Sequence, residues 1–193
     1  MKKRYSACKT SPPWSGAPRW WGLLSALLLA ALAPSAWSQK VEMVIESRGR
    51  MVIELYPDKA PKTVARFLAL VDSGFYNGVR FHRVVNSPRP FIIVAGDPLT
   101  KTLPLDDPKI GTGGTGQKIP FEKNDLKFTD GTLGMVRDVS DENSADSQFF
   151  ICNGEQRFLE GTYTAFGRVI EGREVIKRVQ MGDRILQIRR LAD

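Results

Sequence analysis

The chain has 193 residues, with 28 Lys and Arg against 21 Asp and Glu, one histidine and two cysteines. So few histidines and cysteines rule out a zinc site of the usual ligands, and a hydrolytic triad would have to use His82, wedged between Phe81 and Arg83 in strand-forming sequence. The formal charge of +7 is that of a nucleic-acid binder, but its distribution along the chain removes that reading.

Residues 1–38 read as an export leader. Lys2, Lys3, Arg4, Lys9 and Arg19 form a basic start, and Trp20 to Ala33 is an uncharged apolar run of 14 residues. Ala36-Trp37-Ser38 places small residues where a signal peptidase reads them, so cleavage is expected before Gln39. The run falls short of the roughly 20 residues that span a bilayer, although the long basic start keeps an uncleaved membrane anchor as the alternative. Without the leader the charge falls to +2, with Lys and Arg scattered among Asp and Glu, and no nucleic-acid partner is expected. Residues 39–193 then form one domain with one core. Cys152 keeps no partner there and reads as a small buried hydrophobe.

Val41–Glu46 and Met51–Tyr56 read as two strands around the turn Ser47-Arg48-Gly49-Arg50. Pro61 opens a helix, with Asp58 as a candidate cap, apolar positions at Val64, Phe67, Leu68 and Val71, and Gly74 as the stop. Asn77-Gly78 turns the chain into the strand of Arg83. The prolines of Asn86–Pro90 interrupt it, and Phe91–Val94 resumes. Pro98–Asp130 is a long loop region, a feature that tends to be functional. Thr132–Val136, Gln148–Cys152, Thr164–Ile170 and Ile185–Ile188 are further strands, and Arg173–Met181 is a short helix with Val175, Ile176 and Val179 inward. Seven or eight mostly antiparallel strands with two helices suit a closed barrel with helices over its ends.

Within the loop, Gly111-Thr112-Gly113-Gly114-Thr115-Gly116 satisfies G-x-G-x-x-G. A dinucleotide site needs a buried strand before it and a helix after it; here Asp106–Lys109 and Gln117–Pro120 flank it instead. Tight turning or close backbone approach is the better reading. His82 is expected to be structural, its ring nitrogens on nearby backbone, with a functional role as the alternative.

Two stretches carry the chemistry. Phe81-His82-Arg83-Val84-Val85 and Ser147-Gln148-Phe149-Phe150-Ile151 each set one hydrogen-bonding side chain among apolar and aromatic strand residues. That combination points to an apolar groove with a few fixed donors, suited to a neutral peptide. Taken alone, Arg83 also fits a surface strand arginine paired with a carboxylate.

Those stretches stand in order with Phe91 through Ala95-Gly96-Asp97, Gly111-Thr112-Gly113-Gly114, Phe158-Leu159-Glu160-Gly161 and Phe166-Gly167-Arg168-Val169. The ordered set closely resembles the cyclophilin family of peptidyl-prolyl isomerases, from Val41 to about Leu191. The resemblance implies a mainly β fold, an eight-stranded antiparallel closed barrel capped by two α-helices, in a monomer that needs no cofactor and no metal. It implies that Arg83 is the catalytic arginine and Gln148 its companion in the groove. Phe91, Ile92, Phe150 and Leu159 would form the proline pocket, with Phe158, Tyr163 and Arg137 at its rim. Phe158 and Tyr163 replace the family's usual tryptophan and a frequent histidine, and with Arg137 look like an exported bacterial branch. Lacking an indole N–H, Phe158 implies only weak cyclosporin binding.

The resemblance implies catalysed rotation about X–Pro bonds of proteins folding in the periplasm. Two departures bear on that. Val94 stands where the family usually has a glutamine that helps orient the arginine, and about three extra residues lie within Asn86–Pro90. Val136 also adds bulk beside the groove. A slow isomerase is therefore expected, with a non-catalytic proline-peptide-binding chaperone or assembly module as the rival.

Overall fold

The computed structural model describes residues 39–192; the leader assignment for residues 1–38 lies outside them. Eight strands form one antiparallel sheet: β1 (Gln39–Ile45), β2 (Gly49–Leu55), β3 (Arg83–Val84), β4 (Ile92–Ala95), β5 (Thr132–Met135), β6 (Phe149–Cys152), β7 (Ala165–Glu171) and β8 (Ile185–Arg190). Their order is β3-β4-β6-β5-β7-β2-β1-β8. Two helices pack on it, α1 (Pro61–Asp72) against β8 and α2 (Arg173–Arg178) against β2.

The sheet curls but does not close as the expected continuous barrel, because its edge strands β3 and β8 do not pair with each other. β3 is only two residues long, cut short where Asn86–Pro90 leaves the ladder, and Pro88 and Pro90 have no N–H to extend it. The chain just before β3 spans the gap instead. Gly78 N–H donates to Ile185 O at 2.8 Å, Ile185 N–H to Val79 O at 2.8 Å, and Phe81 N–H to Asp183 O at 2.9 Å. These bonds satisfy backbone groups that an open edge would leave to solvent.

The apolar stripe of α1 behaves as its spacing predicts. Val64, Phe67, Leu68 and Val71 are buried, and the Phe67 ring lies 5.3 Å from Tyr76, 5.6 Å from Phe149 and 5.2 Å from Phe166. Its cap differs from the expected Asp58. The capping residue is Ala60, which has no side-chain acceptor, and Glu122 supplies the carboxylate from the long loop. Its oxygens accept from Lys62 N–H at 3.0 Å and Thr63 N–H at 2.8 Å. A carboxylate there satisfies orphan donors and meets the positive end of the helix dipole. Helix α2 ends at Arg178, short of Met181, because Val179 turns to extended backbone and Gln180 N–H donates to the Asp183 side chain at 2.7 Å.

β4, β5 and β6 are buried on both faces, which is why they read as apolar runs without clean alternation. One face, with Ile93, Ala95, Phe149, Ile151, Leu133 and Met135, joins the main core. The other carries a separate apolar cluster that includes Ile92, Val94, Phe150 and Cys152. The candidate site sits on this second face. Cys152 is fully buried there, and burial pushes its thiol up to about 12, as befits a hydrophobe rather than a nucleophile.

Candidate functional site

Strand register places the groove's central residues on a single rung. Arg83 pairs with Val94, Val94 with Phe150, and Phe150 with Gly134, across β3, β4, β6 and β5. Directly paired residues of antiparallel strands project from the same face. The rung therefore runs from a guanidinium across an aliphatic side chain to an aromatic ring and then to bare backbone. Gly134 has to be bare: a Cβ there would lie 2.2 Å from Phe150 Cζ and 2.8 Å from Phe128 Cε1. The missing side chain lets Phe150 lie flat on Phe128, centroids 5.6 Å apart and planes 23° apart, with the Tyr163 ring edge-on at 5.5 Å.

Above this floor is a groove of about 740 Å³. All nine residues singled out from the sequence line it: Arg83 and Gln148, then Phe91, Ile92, Phe150 and Leu159, then Phe158, Tyr163 and Arg137 at the rim. Phe91 and Phe158 are in ring contact at 5.5 Å, and Phe158 stands 69% exposed at the lip. Val94 and Val136, noted as departures, line the groove as well.

The polar groups are held very unequally. Gln148 is buried, and its Nε2 donates to Gly111 O at 2.9 Å and Gly113 O at 2.8 Å. Two carbonyl partners fix which end of the amide faces the loop, so Oε1 is the end left to accept a hydrogen bond in the groove. The Arg137 guanidinium donates to the carbonyls of Thr162 at 2.8 Å and Asp138 at 2.8 Å, and lies over the Tyr163 ring at 5.3 Å. That makes Arg137 a strap on the rim. Arg83 is exposed and has no hydrogen bond or ion pair among the described residues, so the surface-ion-pair reading does not hold for them. Its rung neighbour Val94 has no polar atom with which to hold it.

The glycine loop is built on two acids. Asp97, fully buried, accepts from Leu99 N–H at 2.8 Å and Gly111 N–H at 2.5 Å, and Asp146 accepts from Thr115 N–H at 2.8 Å and Gly116 N–H at 2.7 Å. A Cβ at Gly113 would fall 2.0 Å from Asp97 Oδ1, and one at Gly114 would fall 2.6 Å from Asp146 Oδ2. The glycines permit close approach of side-chain carboxylates, and the N–H groups of Gly111, Gly113, Thr115 and Gly116 are already occupied by those carboxylates rather than free to cradle a phosphate. His82 lines the groove, and burial holds its pKa below the ordinary value. The Arg80 backbone acts on its ring as a minor influence, but Nδ1 is buried without a partner among the described residues, so the expected pairing of the ring nitrogens with backbone is not found there.

Sequence reasoning missed Phe128, Gly134, Leu105, Asp107 and Ile110. Gly134 was detectable, since a glycine between Leu133 and Met135 inside a strand marks close approach by another group. Phe128 and the three loop residues carry no local signal, being isolated apolar or acidic positions in a loop.

A mainly β half-barrel with this donor-and-aromatic groove agrees with the comparisons. Residues 40–190 match the family described as "Cyclophilin type peptidyl-prolyl cis-trans isomerase/CLD". A peptidyl-prolyl cis-trans isomerase of Synechococcus elongatus is 37% identical, the match covering 76% of this chain and 92% of that protein. Human peptidyl-prolyl cis-trans isomerase-like 1 is 38% identical, with 79% and 87% covered. The crystal structure of a cyclophilin-type isomerase from Cryptosporidium parvum superposes with a TM-score of 0.71 at 28% identity, covering 81% of this chain and 99% of that one. A second crystal structure of that protein, obtained in the presence of the dipeptide Ala-Pro, gives a TM-score of 0.70. The chain belongs to the cyclophilin-type peptidyl-prolyl cis-trans isomerase family. Its activity is that of a peptidyl-prolyl cis-trans isomerase.

Proposed function

We propose that this isomerase acts on X–Pro bonds of exported proteins as they fold, with Arg83 as the catalytic donor. The observation that carries the assignment is an unpartnered guanidinium on the same rung as a buried aromatic floor. The barrier to X–Pro rotation is about 18–20 kcal/mol and arises from amide resonance. As the bond twists, the prolyl nitrogen recovers its lone pair, and a donor aimed at that nitrogen stabilises the twisted state more than the planar one. Arg83 is permanently charged and has several N–H groups to offer. Phe91, Ile92, Phe150 and Leu159 hold the proline ring, Phe158, Tyr163 and Arg137 frame it, and Gln148 Oε1 accepts from a peptide N–H. No proton is transferred, so a neutral His82 suffices.

An acceleration of about 10⁶ requires roughly 8 kcal/mol, while one charge-assisted hydrogen bond contributes about 1.5–3 kcal/mol. The balance has to come from apolar enclosure and from an arginine aimed in advance. Val94 cannot supply that aim, so a reduced rate is proposed. The same feature favours the second reading, a groove that grips proline segments without rotating them. An isomerisation assay on a proline tetrapeptide separates the two: acceleration that Arg83→Ala removes supports the enzyme, and none by the wild type overturns it. Export and leader removal are proposed on residues 1–38 alone, and N-terminal sequencing of the protein recovered from the periplasm tests them. A monomer with weak cyclosporin affinity completes the proposal. Sizing by light scattering tests the first, and titration beside a relative with tryptophan at the Phe158 position tests the second.

A further inference from the structure

One wall of the groove carries none of the residues to which the proposed rotation assigns a role. Leu105, Asp107 and Ile110 line the same cavity as Arg83 and Phe150. They lie in the stretch between the short 3-10 turn Pro98–Lys101 and the glycine loop, outside any strand or helix. That stretch is nonetheless stitched together. Leu103 N–H donates to Leu99 O at 2.9 Å, Asp107 N–H to Pro104 O at 3.2 Å, and Ile110 N–H to Asp107 O at 3.0 Å. Its far end is pinned by the bond from Gly111 N–H to buried Asp97. A wall held at this many points presents its side chains in a set position.

Asp107 is half-buried, and its Oδ1 accepts from Lys109 N–H at 2.9 Å. Its other oxygen accepts no hydrogen bond, and no lysine or arginine among the described residues pairs with it. Arg137, the strap on the rim, turns its Nε and Nη1 to the carbonyls of Thr162, Asp138 and Val139 and makes no ion pair with Asp107. The result is an open carboxylate oxygen beside two half-buried aliphatic side chains, on the one acid among lining residues that also include the cations Arg83 and Arg137. That combination matches a lysine or arginine side chain, whose methylenes cover apolar surface while the charged head meets the carboxylate. A glutamate or aspartate in the same place would meet like charge.

We infer that Asp107 is a specificity-determining residue that selects X–Pro segments carrying a lysine or arginine beside the proline. The inference rests on the isomerase reading, since it names the substrate class of the same groove. The test uses the full chain and three matched peptide sets, with Lys, Ala or Glu immediately before or immediately after the proline. Both isomerisation efficiency and peptide affinity are measured. Lysine is expected to exceed alanine by about threefold to fivefold in at least one position at low salt, with glutamate lowest. The advantage shrinks at about 0.5 M salt. Asp107→Asn should level the three peptides, and Asp106→Asn, on an exposed neighbour, should leave the order intact. Equal handling of all three peptides by the wild type overturns the inference, as does equal levelling by Asp106→Asn. Failure to accelerate the alanine peptide would overturn the isomerase reading instead, and the affinity order would still decide whether Asp107 selects cations.

Discussion

On the β6 wall of the groove, Gln148 is buried with its amide hydrogens bound to two loop carbonyls, whereas on the β3 wall Arg83 stands exposed and unpartnered among the described residues. The contrast follows from what lies opposite each side chain. Gln148 meets the glycine loop, which two carboxylates hold in shape, whereas Arg83 stands across the ladder from Val94, whose side chain has no polar atom. On the proposed mechanism, the Gln148 wall is ordered before a peptide arrives, and the Arg83 wall would be ordered by the peptide, at a cost in side-chain entropy that subtracts from transition-state stabilisation.

The largest expected effect breaks the contrast directly. Arg83→Ala should lower kcat/KM by about 100-fold or more, as removal of a transition-state donor does, while urea unfolding shifts by no more than about 0.5 kcal/mol. Gln148→Ala should do the reverse in emphasis. Leaving the Gly111 and Gly113 carbonyls unpaired should cost about 1–3 kcal/mol of stability, with a smaller loss of activity. A clear loss of stability in Arg83→Ala would mean that the guanidinium supports the fold, and the contrast would fail.

Next in size is Gly134→Ala, which tests the floor that both walls share. Its methyl group would occupy the place of the Phe150 ring, so stability should fall by about 1–3 kcal/mol in chemical denaturation. The Phe150 ring resonances should also shift, and proline peptides should bind more weakly. An unperturbed ring would show that the floor tolerates a side chain there.

Val94→Gln narrows the difference between the walls. An amide opposite Arg83 should raise kcat by about fivefold, the equivalent of one net hydrogen bond of about 1 kcal/mol. An unchanged rate would show that the aim of Arg83 is not limiting.

The smallest effect concerns pH. Burial holds His82 below the ordinary histidine value, so it is mainly neutral near pH 7, and kcat/KM should be flat above neutrality. The unfolded chain binds its proton first, so stability should decline as pH falls from the ordinary histidine value towards the lowered folded one. His82→Gln should remove that slope in pH-dependent melting. The carboxylate of Glu42 is held low mainly by its bonds to Arg189 and Arg50, and its contribution disappears at still lower pH, as the pH falls through the folded value.

Much of this architecture was legible in the residues themselves. The helix stripe at Val64, Phe67, Leu68 and Val71 declares itself by spacing, and the turn at Asn77-Gly78 by chemistry. The nine groove residues were found because an arginine and a glutamine in aromatic strand sequence are conspicuous, and because the ordered motifs resemble one family. The glycine run was read correctly as a close-approach device, although Asp97 and Asp146, the groups that approach, could not be matched to it from spacing.

By itself, the sequence determined which segments are strands, which faces they bury and which polar side chains stand among apolar ones, because those properties depend on neighbours a few residues apart. Tertiary structure alone decided that Arg83, Val94, Phe150 and Gly134 share a rung, that Glu122 rather than Asp58 caps α1, and that the edge strands stay unpaired. It also decided that Asp107 faces the groove. Each of these depends on register or on a contact between distant segments, and local periodicity is blind to both. The unequal holding of Gln148 and Arg83 is of that second kind, since the side chain itself does not record what will lie across from it.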